Sequence, residues 1–366
     1  MYARADPCHT RNPEVPLTAS PPAAEFAAPI RTAPAAVRRP ARADVPMLAL
    51  GVLGVGTSGP LIAATRAPSL AIALWRNALG TAVLAPYALI RHRAELRAMR
   101  RREWLTALAS GLCLGLHFST WTPSLTMTSV ASATAFAATQ PIFAAFAARL
   151  RGEHVARRAW LGIVVAVLGV FALSGVDLRL SVHAFVGDLS ALAAAVFAAV
   201  YVTLGSKVRQ TVSLTPYATI CYGTASLVLA AMAAIFGQHL LGFGGDAWLK
   251  IVALTAGAQL LGHTMFNRVL KTTSATVVSV VILLEVPIAA LLAAVWLGQV
   301  PSLWALPGAL LILAGLVTIS TAGTSAAASA AAGVPEASAE LAAETWSGAA
   351  AGTVSETASG TADPAP

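Results

Sequence analysis

Between Met47 and Thr321 the chain alternates long apolar runs with short connections that carry most of its arginines. An α-helix needs about 20 mostly apolar residues to cross a hydrocarbon layer of about 30 Å. Ten runs of that length can be marked, at 47–65, 69–90, 104–125, 129–149, 159–176, 187–205, 215–237, 248–267, 274–297 and 302–321. The third and fourth are separated only by Thr126-Met127-Thr128, and the ninth turns into the tenth through Gly298-Gln299-Val300-Pro301. The pattern predicts an all-α membrane protein with ten transmembrane helices.

The runs repeat. At a constant offset of 146 residues Gly111 falls on Gly257, Leu114 on Leu260, His117 on His263, Thr126 on Thr272 and Pro141-Ile142 on Pro287-Ile288. Gly152, Gly162, Gly169 and Ser174 fall in the same way on Gly298, Gly308, Gly315 and Ser320. A gapless register of that length marks a duplicated unit. The first repeat is expected over 46–176 and the second over 187–321. Five helices per unit is an odd number, so the second must enter the membrane facing the opposite way, and the repeat is expected to be inverted.

Charge supplies the sidedness. Lys and Arg near the ends of spans stay cytoplasmic. With the N-terminus inside, the inner connections hold 17 of these residues and the outer ones only Arg66, Arg179 and Lys250. The connection around Gly152-Glu153 is flanked by four arginines, whereas its counterpart around Gly298-Gln299 has none. Both termini are therefore expected in the cytoplasm, with the helices in a cell (inner) membrane. The net charge of +8 is a topology signal, because the 57% apolar content and mean hydropathy of +0.72 do not describe a soluble nucleic-acid binder and no basic groove is visible. No nucleic-acid partner is expected; the partners are the lipid bilayer and a small-molecule solute.

The flanks differ in kind. Residues 1–45 are rich in Ala, Pro and Arg without an apolar core for a signal peptide, and 322–366 are Ala, Ser, Thr, Gly and Pro with scattered acids. Both are expected to be disordered cytoplasmic tails. Cys8 lies in the first tail and Cys113 and Cys221 in apolar runs, so no disulfide framework is expected. No His/Cys cluster, phosphate loop or nucleophile elbow appears, and neither a cofactor nor a metal is expected.

Ionisable residues inside a span cost about 2.5–3.5 kcal/mol to insert and normally face a cavity or a partner. Arg76, His117, His263 and Glu285 meet that description. At a rise of about 1.5 Å per residue, Arg76 lies roughly 10 Å below the outer face and Glu285 roughly 16 Å above the inner one. Those depths allow them to pair, either to order the helices or to form a midplane site. One turn beyond the histidines stand Trp121 and Asn267, so each half presents a polar or amphipathic stripe. Each histidine alone suits a helix-to-helix hydrogen bond; their recurrence adds a case for a proton-linked or binding role. Pro141 and Pro287 fall within spans, where a proline removes a backbone hydrogen bond and serves as a hinge or a static kink. Gly162, Gly169, Gly308 and Gly315 are spaced for close helix packing.

Several stretches resemble one family. Leu-Gly-His-Thr-Met-Phe-Asn-Arg-Val-Leu-Lys (261–271), Ser-Ala-Thr-Val-Val-Ser (274–279), Leu-Leu-Glu-Val-Pro (283–287) and Leu-Gly-Gln (297–299) resemble the second repeat of EamA-type transporters of the drug/metabolite transporter superfamily. Leu-His-Phe-Ser-Thr-Trp (116–121), Gln-Pro-Ile-Phe (140–143) and Arg-Gly-Glu (151–153) are similar to the first. The resemblance implies two five-helix repeats, a central cavity built by the first four helices of each, peripheral fifth and tenth helices, and alternating access for export of a small metabolite, amino acid or drug. Two departures stand out: Glu-Val-Pro where the family more often has Glu-Pro, and Gly-Gln at 298–299 where Gly-Glu is usual. The expected substrate-binding residues are Arg76, His117, Trp121, His263, Asn267 and Glu285. The alternative is a non-transporting scaffold or an integral-membrane enzyme. The oligomeric state is not legible.

Overall fold

The computed structural model describes residues 44–150, 152, 155–269 and 281–332. The expected N-terminal tail, the Arg151 and Glu153 turn and the start of the ninth run lie outside them. Every element among the described residues is helical. The first run is α1 (Asp44–Gly56) and α2 (Ser58–Ala63), broken at Thr57, whose hydroxyl turns back to donate to Gly54 O at 2.8 Å. Then come α3 (Ser69–Arg91), the short α4 (Arg93–Ala98) and α5 (Arg101–Met127).

The fourth run is α6 (Val130–Ala137) and α7 (Gln140–Leu150), and the fifth is α8 (Arg157–Leu180). The second half begins with α9 (Val182–Val208), capped by the Ser181 hydroxyl accepting from Ala184 N at 2.9 Å, and α10 (Leu214–Ile235). The eighth run divides into α11 (Gly245–Leu254), a π-helix π1 (Thr255–His263) and α12 (Thr264–Val269). Last are α13 (Glu285–Leu297) and α14 (Leu306–Ala332). The last helix starts later than the apolar pattern suggests, because Ser302–Ala305 form a turn, and it continues past Thr321 to Ala332. Past Thr321 the chain is rich in alanine, the best helix former.

Among the described residues, four helical stretches are long and apolar enough to cross a membrane: Asp44–Ala63, Val130–Ala147, Val182–Val208 and Leu214–Ile235. Exposed apolar stripes accompany them. On α8 Leu161, Val164, Leu168 and Phe171 are all exposed at helical spacing, a surface that water would penalise and lipid accepts.

The packing mirrors the repeat. Helix α5 packs on α9 and α10, and its counterpart, π1 with α12, packs on α1 and α3. Helices α3 and α10, α6 and α13, and α8 and α14 each pack against their own counterparts. The α8–α14 contact is made by the four glycines. A Cβ on Gly162 would stand 2.6 Å from Gly315 O, and one on Gly169 would stand 2.7 Å from Gly308 O, so the backbones touch.

Candidate functional site

A cavity of about 110 Å³ lies between the halves, at the meeting of α5, α9, α12, α13 and the α6–α7 break. His117 and Trp121 reach it from α5, His263 from π1, Asn267 from α12 and Glu285 from α13, while Pro141 lines it beside Gln140. Of the residues singled out in the sequence, Arg76 and Pro287 are not on its wall, and Pro287 is exposed. The rest of the wall is mostly apolar or aromatic, with Phe118, Tyr201 and Phe266 among its rings. An apolar cavity with a few convergent polar groups is the ordinary form of a small-molecule site.

The two histidines are held differently. His117 Nδ1 lies 2.9 Å from Ala194 O, and a carbonyl can only accept, so Nδ1 carries the hydrogen and ties α5 to α9. Its ring stacks on Trp121, with centroids 6.0 Å apart and planes 12° from parallel. Trp121 Nε1 is buried without a hydrogen-bond partner among the described residues. His263 makes no hydrogen bond among those residues and stands edge-on to Phe118, with centroids 6.0 Å apart. Asn267 donates from Nδ2 to Tyr201 Oη at 3.2 Å, joining α12 to α9.

Arg76 is fully buried on α3 behind this wall. Its Nε donates to Gln259 Oε1 at 3.0 Å and its Nη1 to Ser58 Oγ at 3.1 Å. The guanidinium carbon sits 4.4 Å from the Phe118 ring centroid, a cation–π contact, and Nη2 has no partner among the described residues. Gln259 also donates from Nε2 to Asn77 Oδ1 at 3.1 Å, so one amide clamps two neighbouring residues of α3. No nitrogen of Arg76 comes within the 4.0 Å of a salt bridge to Glu285, although the two interact electrostatically at longer range. The pair considered from depth alone is therefore not a direct contact: two neutral oxygens and an aromatic face hold the arginine, and Glu285 lines the cavity.

The prolines also act otherwise than a mid-helix kink. Pro141 is the second residue of α7 and Pro287 the third of α13, in first turns whose N–H groups have no helical partner anyway. The discontinuities lie just before them, in the turns at Ala138-Thr139 and Leu283-Leu284, which the 146-residue offset matches to within one residue.

Gln259, Ser58, Phe118 and Tyr201 were missed in the sequence because a search for ionisable residues passes over neutral polar and aromatic ones. Gln259 was the most legible of them, as an amide inside an apolar run. Two contacts at the helix ends also escaped notice. Glu95 on α4 accepts from Ser213 N at 2.6 Å and from Ser213 Oγ at 2.5 Å, capping α10 from another element, and His92 Nδ1 lies 3.1 Å from the same carboxylate. Partial burial pushes the Glu95 carboxyl up, but the hydrogen bonds from Ser213 and His92 outweigh it and hold it below its ordinary value. Gln299 Oε1 accepts from Val130 N at 3.2 Å and caps α6. The departure at 299 thus keeps an oxygen in place but drops its charge.

No curated protein matches the chain. A solved protein crystal structure superposes with a TM-score of 0.55 at 20% identity over 76% of this chain and 96% of that one, a likeness of fold. The model of the EamA-like transporter family matches twice, over residues 45–175 and 185–321, close to the two repeats expected from the 146-residue offset. With two such matches covering most of its length, this multi-pass membrane protein belongs to the EamA-like transporter family.

Proposed function

We propose that the protein exports a small organic solute across the inner membrane by alternating access, as ten transmembrane helices in two inverted five-helix repeats with both termini in the cytoplasm. The observation that carries this reading is the composition of the cavity wall. It draws on both repeats at equivalent places, with His117 and His263 both on it. A site shared by two inverted halves can be exposed to either side by rocking one half against the other. The self-pairing of α3 with α10, α6 with α13 and α8 with α14 supports the same two-fold relation.

In this reading Glu285, His117, Trp121, His263 and Asn267 contact the solute. Arg76 acts from behind Phe118 and Ser58 as a positioning residue that sets the field of the site. The turns preceding Pro141 and Pro287 are the hinges. The wide apolar wall suits a solute with an apolar body, oriented by a few polar groups.

The test is metabolite profiling of cells with and without the protein, followed by transport of the leading solutes into reconstituted vesicles with and without a pH gradient. Uptake that depends on the protein and is lost in Glu285→Gln is the expected result. Stimulation by the gradient would assign proton coupling, and its absence facilitated diffusion. A protein that folds but moves none of the solutes whose cellular levels it changes would favour a non-transporting scaffold.

A further inference from the structure

Away from the cavity, two carboxylates are buried with no cation beside them among the described residues. Asp188, in the second turn of α9, is 1% exposed, and Asp177, in the last turn of α8, is 5% exposed. Neither Asp188 oxygen has a hydrogen-bond partner there, nor does Asp177 Oδ2. The two side chains lie close enough to interact, and the Thr128 side chain is within reach of the Asp188 carboxylate. Thr128 is itself 9% exposed, and its Oγ1 is buried and unpartnered.

The fold forces these groups together. Ser181 N donates to Asp177 O at 2.8 Å, and the Ser181 hydroxyl then caps α9, so α8 reverses into α9 with no intervening loop. Gly187 seats the first turns of α9 on the end of α5: a Cβ there would lie 2.8 Å from Met127 Cβ and 3.0 Å from Thr128 N. The C-termini of two long helices, α5 and α8, thereby converge on the acid pair. Helix C-termini present unpaired carbonyl oxygens and the negative end of the helix dipole, and both favour a cation.

A buried charge without a partner is costly, and like charges in contact add to the cost. A hard divalent ion removes both penalties at once. We propose that Asp177, Asp188 and Thr128, with carbonyl oxygens of the adjoining helix ends, bind one calcium ion that staples the junction of the two repeats. Two carboxylates balance its charge. An all-oxygen, irregular shell suits calcium better than magnesium, which demands near-octahedral geometry and gives up its waters reluctantly.

The experiment uses the full chain purified in detergent. Equilibrium dialysis with radioactive calcium is expected to find one site per chain, retained in excess magnesium or sodium and lost in Asp188→Asn and in Asp177→Asn. The thermal midpoint of the wild type should climb with each tenfold rise in calcium above its Kd. Asp188→Asn, which removes the uncompensated charge, should melt above the wild type in chelator and below it in calcium. Failure of the crossover overturns the proposal. So does calcium binding that survives both substitutions, binding of sodium or magnesium in preference, or no binding together with a midpoint that rises on acidification, which would mean that the two acids share a proton. Dialysis and melting of the wild type decide the matter even where a variant does not fold.

Discussion

The third helix of each half has the same sequence pattern and a different build. In the first half, α5 runs unbroken from Arg101 to Met127; in the second, the equivalent stretch is α11, the π-helix π1 and α12. A π segment holds an extra residue per turn, so it rotates the next stretch of helix relative to a regular one, and such segments gather at functional sites. Here it carries Gln259, which the 146-residue offset pairs with Cys113, and it faces Arg76, which the offset pairs with Tyr222. The two halves share the scaffold, and the Gln259 clamp belongs to one of them. The halves therefore differ in particular buried contacts, and each can be broken in turn.

The largest expected effect is at Gln259. Replacement by Leu leaves Arg76 with Ser58 as its one hydrogen-bond partner among the described residues and Asn77 without its interhelical bond. A hydrogen bond to a charged group is worth about 1.5–3 kcal/mol, and the Asn77 bond is lost with it, so the variant should melt well below the wild type in detergent. Gln259→Glu, which keeps an acceptor for Arg76 Nε, should fold. The corresponding change at Cys113, to Leu, touches no such network and should be tolerated.

Next come two glycines related by the repeat. A Cβ on Gly111 would stand 2.6 Å from Cys221 O, whereas one on Gly257 finds nothing nearer than Thr57 Oγ1 at 3.8 Å. Gly111→Ala should therefore destabilise by about 1–3 kcal/mol through overpacking. Gly257→Ala should be neutral or stabilise by up to about 1 kcal/mol, because Gly costs that much inside a helix. Paired melting curves read the contrast, and equal losses at both positions would mean that the halves are packed alike.

The histidines offer a smaller split. His117→Phe forfeits the hydrogen bond to Ala194 O, a loss of about 0.5–1.5 kcal/mol, while His263→Phe has no hydrogen bond to lose among the described residues and should melt within about 0.5 kcal/mol of the wild type. Vesicle transport adds an independent readout: a drop in uptake by His263→Phe at unchanged stability would assign that ring to the solute. A pH profile of transport unmoved by His117→Gln/His263→Gln would remove both from any proton step.

Much of this was legible in the chain and some was not, for physical reasons. Long apolar runs and their offset are strong signals, because a bilayer demands length and a duplication preserves register. His117, Trp121, His263, Asn267 and Glu285 stood out as polar or amphipathic groups in spans and do meet at one cavity. The depth of Arg76 was also visible, but its partners were not: an amide, a hydroxyl and a ring carry no charge to mark them, and a π segment shifts the register by an amount that a 3.6-residue period does not resolve. Pro141 and Pro287 stand just after breaks in their spans, at 138–139 and 283–284, and the apolar pattern runs through those breaks without marking them.

The smallest effects concern two helix N-termini that are capped from elsewhere in the chain, one by a charge and one without. Glu95 caps α10 with a carboxylate at 2.6 Å; Gln299 caps α6 with an amide oxygen at 3.2 Å. Because the Glu95 carboxyl is held below its ordinary 4.5, its contribution is fully present above that value and is lost as the pH falls through the lower value it takes in the fold. Glu95→Gln should abolish that acid-side loss, whereas Gln299→Leu should lower the midpoint equally at every pH. Gln299→Glu converts the second cap into the first kind. It should gain about 0.3–1 kcal/mol from a negative charge at the N-terminus of α6, a gain that salt screens and that vanishes on acidification. A midpoint insensitive to salt in that variant would show that the oxygen at 299 acts by hydrogen bonding alone, and that the two caps differ in length but not in kind.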